Sequence, residues 1–273
     1  MIKLVAIDID GTLLNEKKVL TKKVRDVIHQ AMEKGVKIVL STGRPIEGIK
    51  PYLKELGFSE EEDYVISQNG AAITRTDTME IIAQQIHPLE DLAELYHLGK
   101  EFPTDTLMIN EEHFYMVLPH GVEPSVDPDV LDEGKTLNMD VEVIHLDHLK
   151  EDSEILKVIY FGDVEEIDEV VAAIPRDFYE RYYIVRNEPY LIDVMVKGVN
   201  KGVALKRLAE HLNIKIDEIM AIGDGENDYE MLEAAGLGIA MANGTERLKS
   251  IASDVTLSNE EDGVAFAFEK WVL

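Results

Sequence analysis

Short apolar runs rich in β-branched residues recur along this chain, separated by stretches with helical spacing. "IKLVAID" near the start, "VKIVLS" and "YVIS" each have the length and composition of a strand covered on both faces. After the first, Thr21 is placed to cap a helix through "KKVRDVIHQAMEK". There Val24, Ile28 and Ala31 fall at helical spacing, and Gly35 stands where a C-terminal stop belongs. Pro45 opens a further helix that runs to about Gly57. The rhythm returns late in the chain: helix Lys201 to Leu212, strand "IMAIG", helix Tyr229 to Ala235, strand "GIAMA", helix Glu246 to Ala252, a short "DVTL" and a last helix. Such alternation restricts the fold to α/β, a parallel sheet with right-handed crossovers wound like a Rossmann domain, with "IKLVAID" central.

From about Thr74 to Val196 the rhythm breaks. "LMIN" and "FYMVL" flank a short polar turn and predict a hairpin; "VEEIDEVVAAI", ended by Pro175, predicts a helix against the strand "ILKVIYFG". "LPHGVEPSVDPDVLDEG" is rich in Pro and Gly and reads as a surface loop. The expectation is a discontinuous core, residues 1–83 and 197–273, with an α+β unit inserted over 84–196. A chain of 273 residues has room for both.

With 54 acidic residues against 27 basic ones, the formal charge is -27, which repels phosphate backbones and anionic lipid. No nucleic acid and no membrane are expected as partners. An anionic substrate would need local positive charge. The absence of cysteine excludes disulfides, thiolate metal sites and thiol catalysis, so any metal must be held by oxygen or imidazole. Asp8 and Asp10 interrupt the only apolar run near the N-terminus, which leaves no signal-peptide pattern, and the expected location is the cytoplasm.

Chemistry concentrates where the apolar runs end. Asp8 and Asp10 close the first run in "AIDIDGTLL", where a period of two sends both side chains to one side of the sheet. Like charges so close raise each other's pKa unless something offsets them. "AIGDGENDYEML" repeats the theme: a strand ends at Gly223 and delivers Asp224, with Asn227 and Asp228 just behind. In an open parallel sheet ligands bind outside the carboxyl ends of the strands, so Asp8, Asp10 and Asp224 can converge on one crevice. Three carboxylates without thiol or histidine nearby make a hard-oxygen site that favours Mg²⁺.

Other strand ends carry phosphate-binding chemistry. In "VLSTGRP", Thr42 or Ser41 can donate to a phosphoryl oxygen, Gly43 lets backbone amides approach, and Arg44 meets an anion. An ordinary strand-to-helix turn has the same composition. Lys201, in the first turn of a helix capped by Asn200, opposes the macrodipole, which suggests phosphate neutralisation as its task; an exposed, solvated lysine is the alternative. Asn69-Gly70 is more often a hairpin turn than a site. Combined, these residues fit one reaction. Asp8 attacks phosphorus to give an aspartyl-phosphate, Asp10 moves the proton, and Mg²⁺, Lys201 and Thr42 stabilise the transferring oxygens.

"DIDGT", "STGR", Lys201-Gly202 and "GDGEND", in that order, resemble the four motifs of the haloacid dehalogenase-like superfamily, in the spacing of its Cof-type, YidA-like sugar-phosphate phosphatases. The resemblance spans the whole chain. It implies a Rossmann-like core with an inserted cap domain of the second (C2) type that closes over the site and selects substrate. By matching position it implies Asp8 as nucleophile, Asp10 as acid/base, and Thr42 and Lys201 as phosphate ligands. It also implies Mg²⁺ on Asp8, the main-chain carbonyl of Asp10 and Asp224, supported by Asn227 and Asp228, and it places Gly43, Arg44 and Asn69 near substrate. The expected activity is Mg²⁺-dependent hydrolysis of a small phosphorylated metabolite. A phosphomutase and a non-catalytic sugar-phosphate-binding regulatory module are the alternatives. His113, Tyr115 and Arg186 fit packing better than substrate contact, and neither the substrate's identity nor the oligomeric state follows from the sequence.

Overall fold

The apolar runs become strands. In chain order these are β1 (Leu4–Ile7), β2 (Lys37–Ser41), β3 (Tyr64–Ser67), β4 (Ala72–Arg75) and β5 (Ile81–Gln84). Then follow β6 (Asp105–Ile109), β7 (Phe114–Leu118), β8 (Val141–His145), β9 (Lys157–Phe161), β10 (Tyr182–Glu188) and β11 (Leu191–Val196), and finally β12 (Ile219–Gly223), β13 (Leu237–Ala240) and β14 (Asp254–Val255). The computed structural model describes residues 1–58, 63–119, 121–122 and 125–273. Their contacts form two units: Met1–Gly43, Lys50–Ala83 and Asn200–Leu273 in one, Arg44–Ile49 and Gln84–Val199 in the other.

The first unit holds an eight-stranded sheet in the order β14-β13-β12-β1-β2-β3-β4-β5. From β14 to β3 the described pairings are parallel, with Leu4 opposite both Lys37 and Ile219; β4 runs antiparallel to β3. β1 lies inside the sheet and all four of its residues are buried, which is why it reads as an unbroken apolar run. Helix Lys22–Glu33 is capped by Thr21, whose hydroxyl accepts the Val24 N–H, and it buries Val24, Val27, Ile28 and Ala31. Strand order reverses between β1 and β12, so their C-terminal ends flank the crevice where such sheets bind ligands. Asp8 follows β1 and Asp224 follows β12.

The second unit is a six-stranded sheet, β10-β11-β9-β6-β7-β8, with helices on both faces. Val158 and Tyr160 of β9 pack with Leu92, Leu95, Ile167 and Val170 of helices Leu89–Gly99 and Val164–Ala173. Ile159 and Phe161 point the other way, into a cluster with Val130 and Leu137. β6 and β7 form the expected hairpin.

Three local expectations need correction. The Pro- and Gly-rich stretch read as a loop contains a helix, Pro128–Thr136, capped by Asp127 and burying Val130 and Gly134. Its Pro128 occupies the first helical position, where a missing N–H is harmless, so the proline marks a start and not a break. His120, Glu123 and Pro124 of that stretch lie outside the described residues. The segment after Pro45 begins as a 3₁₀ turn, Ile46–Ile49, before becoming the α-helix Lys50–Leu56. β1 ends at Ile7, so Asp8 and Asp10 stand beyond the strand and its two-residue period does not govern them. No described helix is long and apolar enough to cross a membrane.

Candidate active site

Asp8 extends the β1–β12 pairing by one hydrogen bond, its N–H donating to Ile222 O at 3.0 Å. That places its carboxylate against the N-terminus of helix Lys201–His211, whose Asn200 cap accepts the Val203 N–H at 2.8 Å. Lys201 is not the exposed lysine that its position allowed. Its side chain is 0% exposed, and Nζ bridges Asp8 Oδ1 at 2.6 Å and Asp228 Oδ1 at 2.7 Å. The other oxygen of Asp228 accepts the N–H groups of Asp224 and Gly225, each at 2.9 Å. Asp228 thereby folds the loop that presents Asp224.

Asp8, Asp224 and Asp228 each offer one carboxylate oxygen, and these oxygens lie within 4.8 Å of one another. Burial pushes the Asp8 carboxyl well above its ordinary range, reinforced by Asp228 and Asp224 and opposed by Lys201. Asp224 is pushed up to about 7, by burial first and then by Asp228, against the hydrogen bond from Thr12 and the charge of Lys201. One ammonium does not balance three carboxylates. An all-oxygen, excess-negative set of this kind fits a hard divalent cation such as Mg²⁺.

Thr42, Gly43, Asn69 and Asn227 also come together. Asn69 N–H donates to Thr42 O at 2.9 Å, and Asn227 Nδ2 donates to Asn69 Oδ1 at 2.9 Å. A Cβ on Gly43 would stand 2.9 Å from Asn69 Oδ1. The Asn69-Gly70 pair does form a hairpin turn between β3 and β4, yet Asn69 is fully buried at a φ of 56°. Beside it, a Cβ on Gly70 would meet Asn200 O at 2.4 Å and Lys201 N at 3.0 Å. The turn therefore lies on the start of the lysine helix. Ser41, the alternative hydroxyl to Thr42, has its Oγ buried without a hydrogen-bond partner.

Two expected residues have partners of their own. The Asp10 carboxylate pairs with Lys18 Nζ at 2.6 Å, with 29% of the side chain exposed, and is not among the three clustered carboxylates. Arg44 donates from Nη1 to Thr136 O at 3.4 Å, within the second unit. His113 stacks on Tyr115 and pairs with Glu142, and Arg186 is held by Asp168 and Pro189 O.

Sequence reasoning overlooked Thr12 and Gly11 beside Asp224, and Asn243 behind Gly11. Thr12 Oγ1 donates to Asp224 Oδ1 at 2.6 Å. Gly11, at a φ of +83°, packs so tightly that a Cβ would fall 2.3 Å from Asp224 Oδ2. Asn243 Nδ2 donates to Gly11 O at 2.8 Å. Thr12 and Gly11 stand inside "DIDGT" and could have been weighed; Asn243 carries no pattern that would single it out.

The sequence and the fold match known proteins. Residues 5–268 match the family of haloacid dehalogenase-like hydrolases. YxeH of Bacillus subtilis, which bears a provisional phosphatase designation, is 38% identical, covering 100% of this chain and 99% of that protein. A haloacid dehalogenase-like hydrolase from Bacteroides thetaiotaomicron superposes with a TM-score of 0.86 at 30% identity, covering 99% of each chain. The subclass IIB sugar phosphatase BT4131 superposes with a TM-score of 0.82 at 26% identity over 98% of each. The chain belongs to the haloacid dehalogenase-like hydrolase family. It is a phosphatase of that family, with a Rossmann-like core and an inserted α+β cap of the C2 type.

Proposed function

We propose that this enzyme is a Mg²⁺-dependent phosphatase of phosphorylated sugars or similarly small phosphometabolites, working through an aspartyl-phosphate on Asp8. The observation that carries the reading is the buried Lys201 ammonium held between Asp8 and Asp228, with Asp224 alongside. A carboxylate nucleophile facing phosphorus needs fixed positive charge nearby, and in an otherwise acidic protein Lys201 supplies it locally. The likeness to a subclass IIB sugar phosphatase supports the substrate class. The division into a core of residues 1–83 and 197–273 and a substrate-selecting cap of 84–196 is part of the same proposal.

In the first step Asp8 attacks phosphorus, the bond to the alcohol oxygen breaks, and Asp10 protonates that oxygen. In the second, water attacks the phosphorus of the aspartyl-phosphate, Asp10 takes its proton, and inorganic phosphate leaves with Asp8 restored. Asp10 must first leave Lys18. Their side chains are 29% and 52% exposed, and ion pairs so open are worth about 0–1 kcal/mol, so the exchange costs little. Thr42 and Lys201 bind the phosphoryl oxygens, with Gly43, Arg44, Asn69 and Asn227 lining the substrate. Asp8, Asp224 and the Asp10 carbonyl would hold Mg²⁺, with Asp228 in support. A bound Mg²⁺ supplies charge neutralisation between carboxylate and phosphate.

The test is phosphate release from an aryl phosphate: it should require Mg²⁺ and vanish in Asp8→Asn. Turnover without a divalent cation, or an active Asp8→Asn protein, would overturn the reading. Transfer of phosphate back to a bound sugar would instead mark a mutase, and Mg²⁺-loaded protein that binds a sugar phosphate yet stays inert would mark a binding module.

A further inference from the structure

The turn between β3 and β4 departs from a plain hairpin. Asn69, at φ 56° and ψ 28°, and Gly70, at φ 96°, are the left-handed pair that a two-residue turn requires, and the Ala71 N–H closes it by donating to Gln68 O at 3.1 Å. In a plain turn of this kind Gln68 and Ala71 would form the next rung of the ladder. The ladder instead stops one pair earlier, at Ser67 opposite Ala72. Ala71 is helical, at φ -70° and ψ -26°, and Gln68 is itself left-handed, at φ 49°, while 0% exposed. A buried residue other than glycine is strained in that region, and such strain persists only where the surroundings impose it.

The surroundings are the phosphate site, and every residue of the contact belongs to the first unit. The Asn69 N–H donates to Thr42 O, and the Thr42 N–H donates to Ile66 O, both at 2.9 Å, so residues 66–69 hold Thr42 from both sides of its backbone. The Asn69 side chain accepts Asn227 Nδ2 at 2.9 Å, from the loop that presents Asp224. Gly70 rests on the first turn of the lysine helix, where a Cβ would stand 2.4 Å from Asn200 O and 3.0 Å from Lys201 N. Breaking the ladder at Gln68 thus turns Asn69 and Gly70 out of the line of their strands and onto the loops that carry Thr42, Lys201 and Asn227.

We propose that the strained turn Gln68–Gly70 is a spacer that sets Thr42 and Lys201 at the separation a phosphoryl group needs, with Gly70 as its positioning residue. Asn69 fixes Thr42 through the backbone. Gly70, having no Cβ, lets the start of the lysine helix settle on the same turn. The inference rests on the phosphatase reading, in which Thr42 and Lys201 bind the phosphoryl oxygens. Gly70 itself touches no substrate.

Full-length Gly70→Ala and Gln68→Asn, assayed on an aryl phosphate with Mg²⁺ and for inhibition by inorganic phosphate, test it. The added Cβ of Gly70→Ala forces the Asn200–Lys201 backbone away from the turn that holds Thr42, and misplacing a binding group by about 1 Å can cost on the order of a hundredfold in rate. In that variant kcat/KM is expected to fall at least about tenfold and the inhibition constant of phosphate to rise about tenfold. A role in stability alone would change the folded fraction and leave that inhibition constant where it was. A folded Gly70→Ala protein with the wild-type inhibition constant overturns the proposal. Gln68→Asn, whose side chain tolerates the left-handed region, should keep the wild-type inhibition constant even where it melts at a lower temperature. If Gly70→Ala does not fold, the amide resonances of the wild type decide: inorganic phosphate with Mg²⁺ should move those of Asn69 and Gly70 along with Thr42 and Lys201, and unmoved Asn69 and Gly70 resonances overturn it. A wild type that releases no phosphate sinks the phosphatase reading instead, which keeps the two failures distinct.

Discussion

Lys201 and Asp8 form an ion pair of 2.6 Å between side chains that are 0% and 7% exposed. Burial works against the ammonium, but the adjacent Asp228 and Asp8 carboxylates outweigh it and hold Lys201 above the ordinary lysine range. It stays charged at every working pH. Lys201→Met would leave two buried carboxylates facing each other, and removing one partner from a buried pair costs about 3–5 kcal/mol. The expected outcome is a fall of that size in urea stability near neutral pH, together with loss of phosphate release. Adding Asp228→Asn should recover part of the stability and none of the activity. A Lys201→Met protein as stable as wild type would contradict the buried bridge.

Asp224 predicts how metal binding responds to pH. Its carboxyl is raised to about 7 by burial and by Asp228, above the ordinary 3.8. In the metal-free protein its contribution to stability is complete below about pH 4 and is lost as pH rises through about 7. Mg²⁺ takes the deprotonated form, so binding near neutrality releases protons and strengthens from about pH 6 to about pH 8. Calorimetric titration in two buffers of different ionisation enthalpy measures the release. Equal heats in both would contradict it.

How much of this was legible depended on whether a residue's partner lay near it in sequence. β1, β2, β3, β12 and β13 were readable because both faces are buried and each strand is an apolar run. The convergence of Asp8 and Asp224 followed from strand ends alone, since it needs only parallel pairing at the switch point. The opposite fates of Asp8 and Asp10 did not, because Lys201 and Lys18 choose between them through tertiary contacts. Thr12 and Asn243 were missed for the same reason, their partners lying 212 and 232 residues away. Helix Pro128–Thr136 was lost because proline was weighed as a breaker and not as a first helical residue.

Gly11 packs its backbone against Asp224, one of the proposed Mg²⁺ ligands. A φ of +83° is strained for a side chain, and an added Cβ would meet Asp224 Oδ2 at 2.3 Å. Gly11→Ala should therefore cost about 1–2 kcal/mol in backbone strain. It should also displace Asp224, weakening Mg²⁺ dependence at least tenfold by the concentration needed for half-maximal phosphate release. Unchanged Mg²⁺ dependence would show that Asp224 is free to adjust.

His87 gives the second unit a pH response of its own. Burial depresses its pKa below the ordinary 6.5, opposed by its hydrogen bond to Val194 O and by the charge of Asp91. Nε2 donates to Val194 O at 3.1 Å, while Nδ1 is buried with no hydrogen-bond partner, so a second proton would add a buried donor with nothing to accept it. Because the folded pKa is the lower one, the stability from neutral His87 is present above about pH 6.5 and is lost as pH falls toward the folded value. Urea unfolding followed by fluorescence should show the midpoint dropping on acidification from about pH 7 to about pH 5. In His87→Gln, whose amide can keep the bond to Val194 O, that slope should be shallower. An identical slope in both proteins would mean that His87 takes its proton without cost.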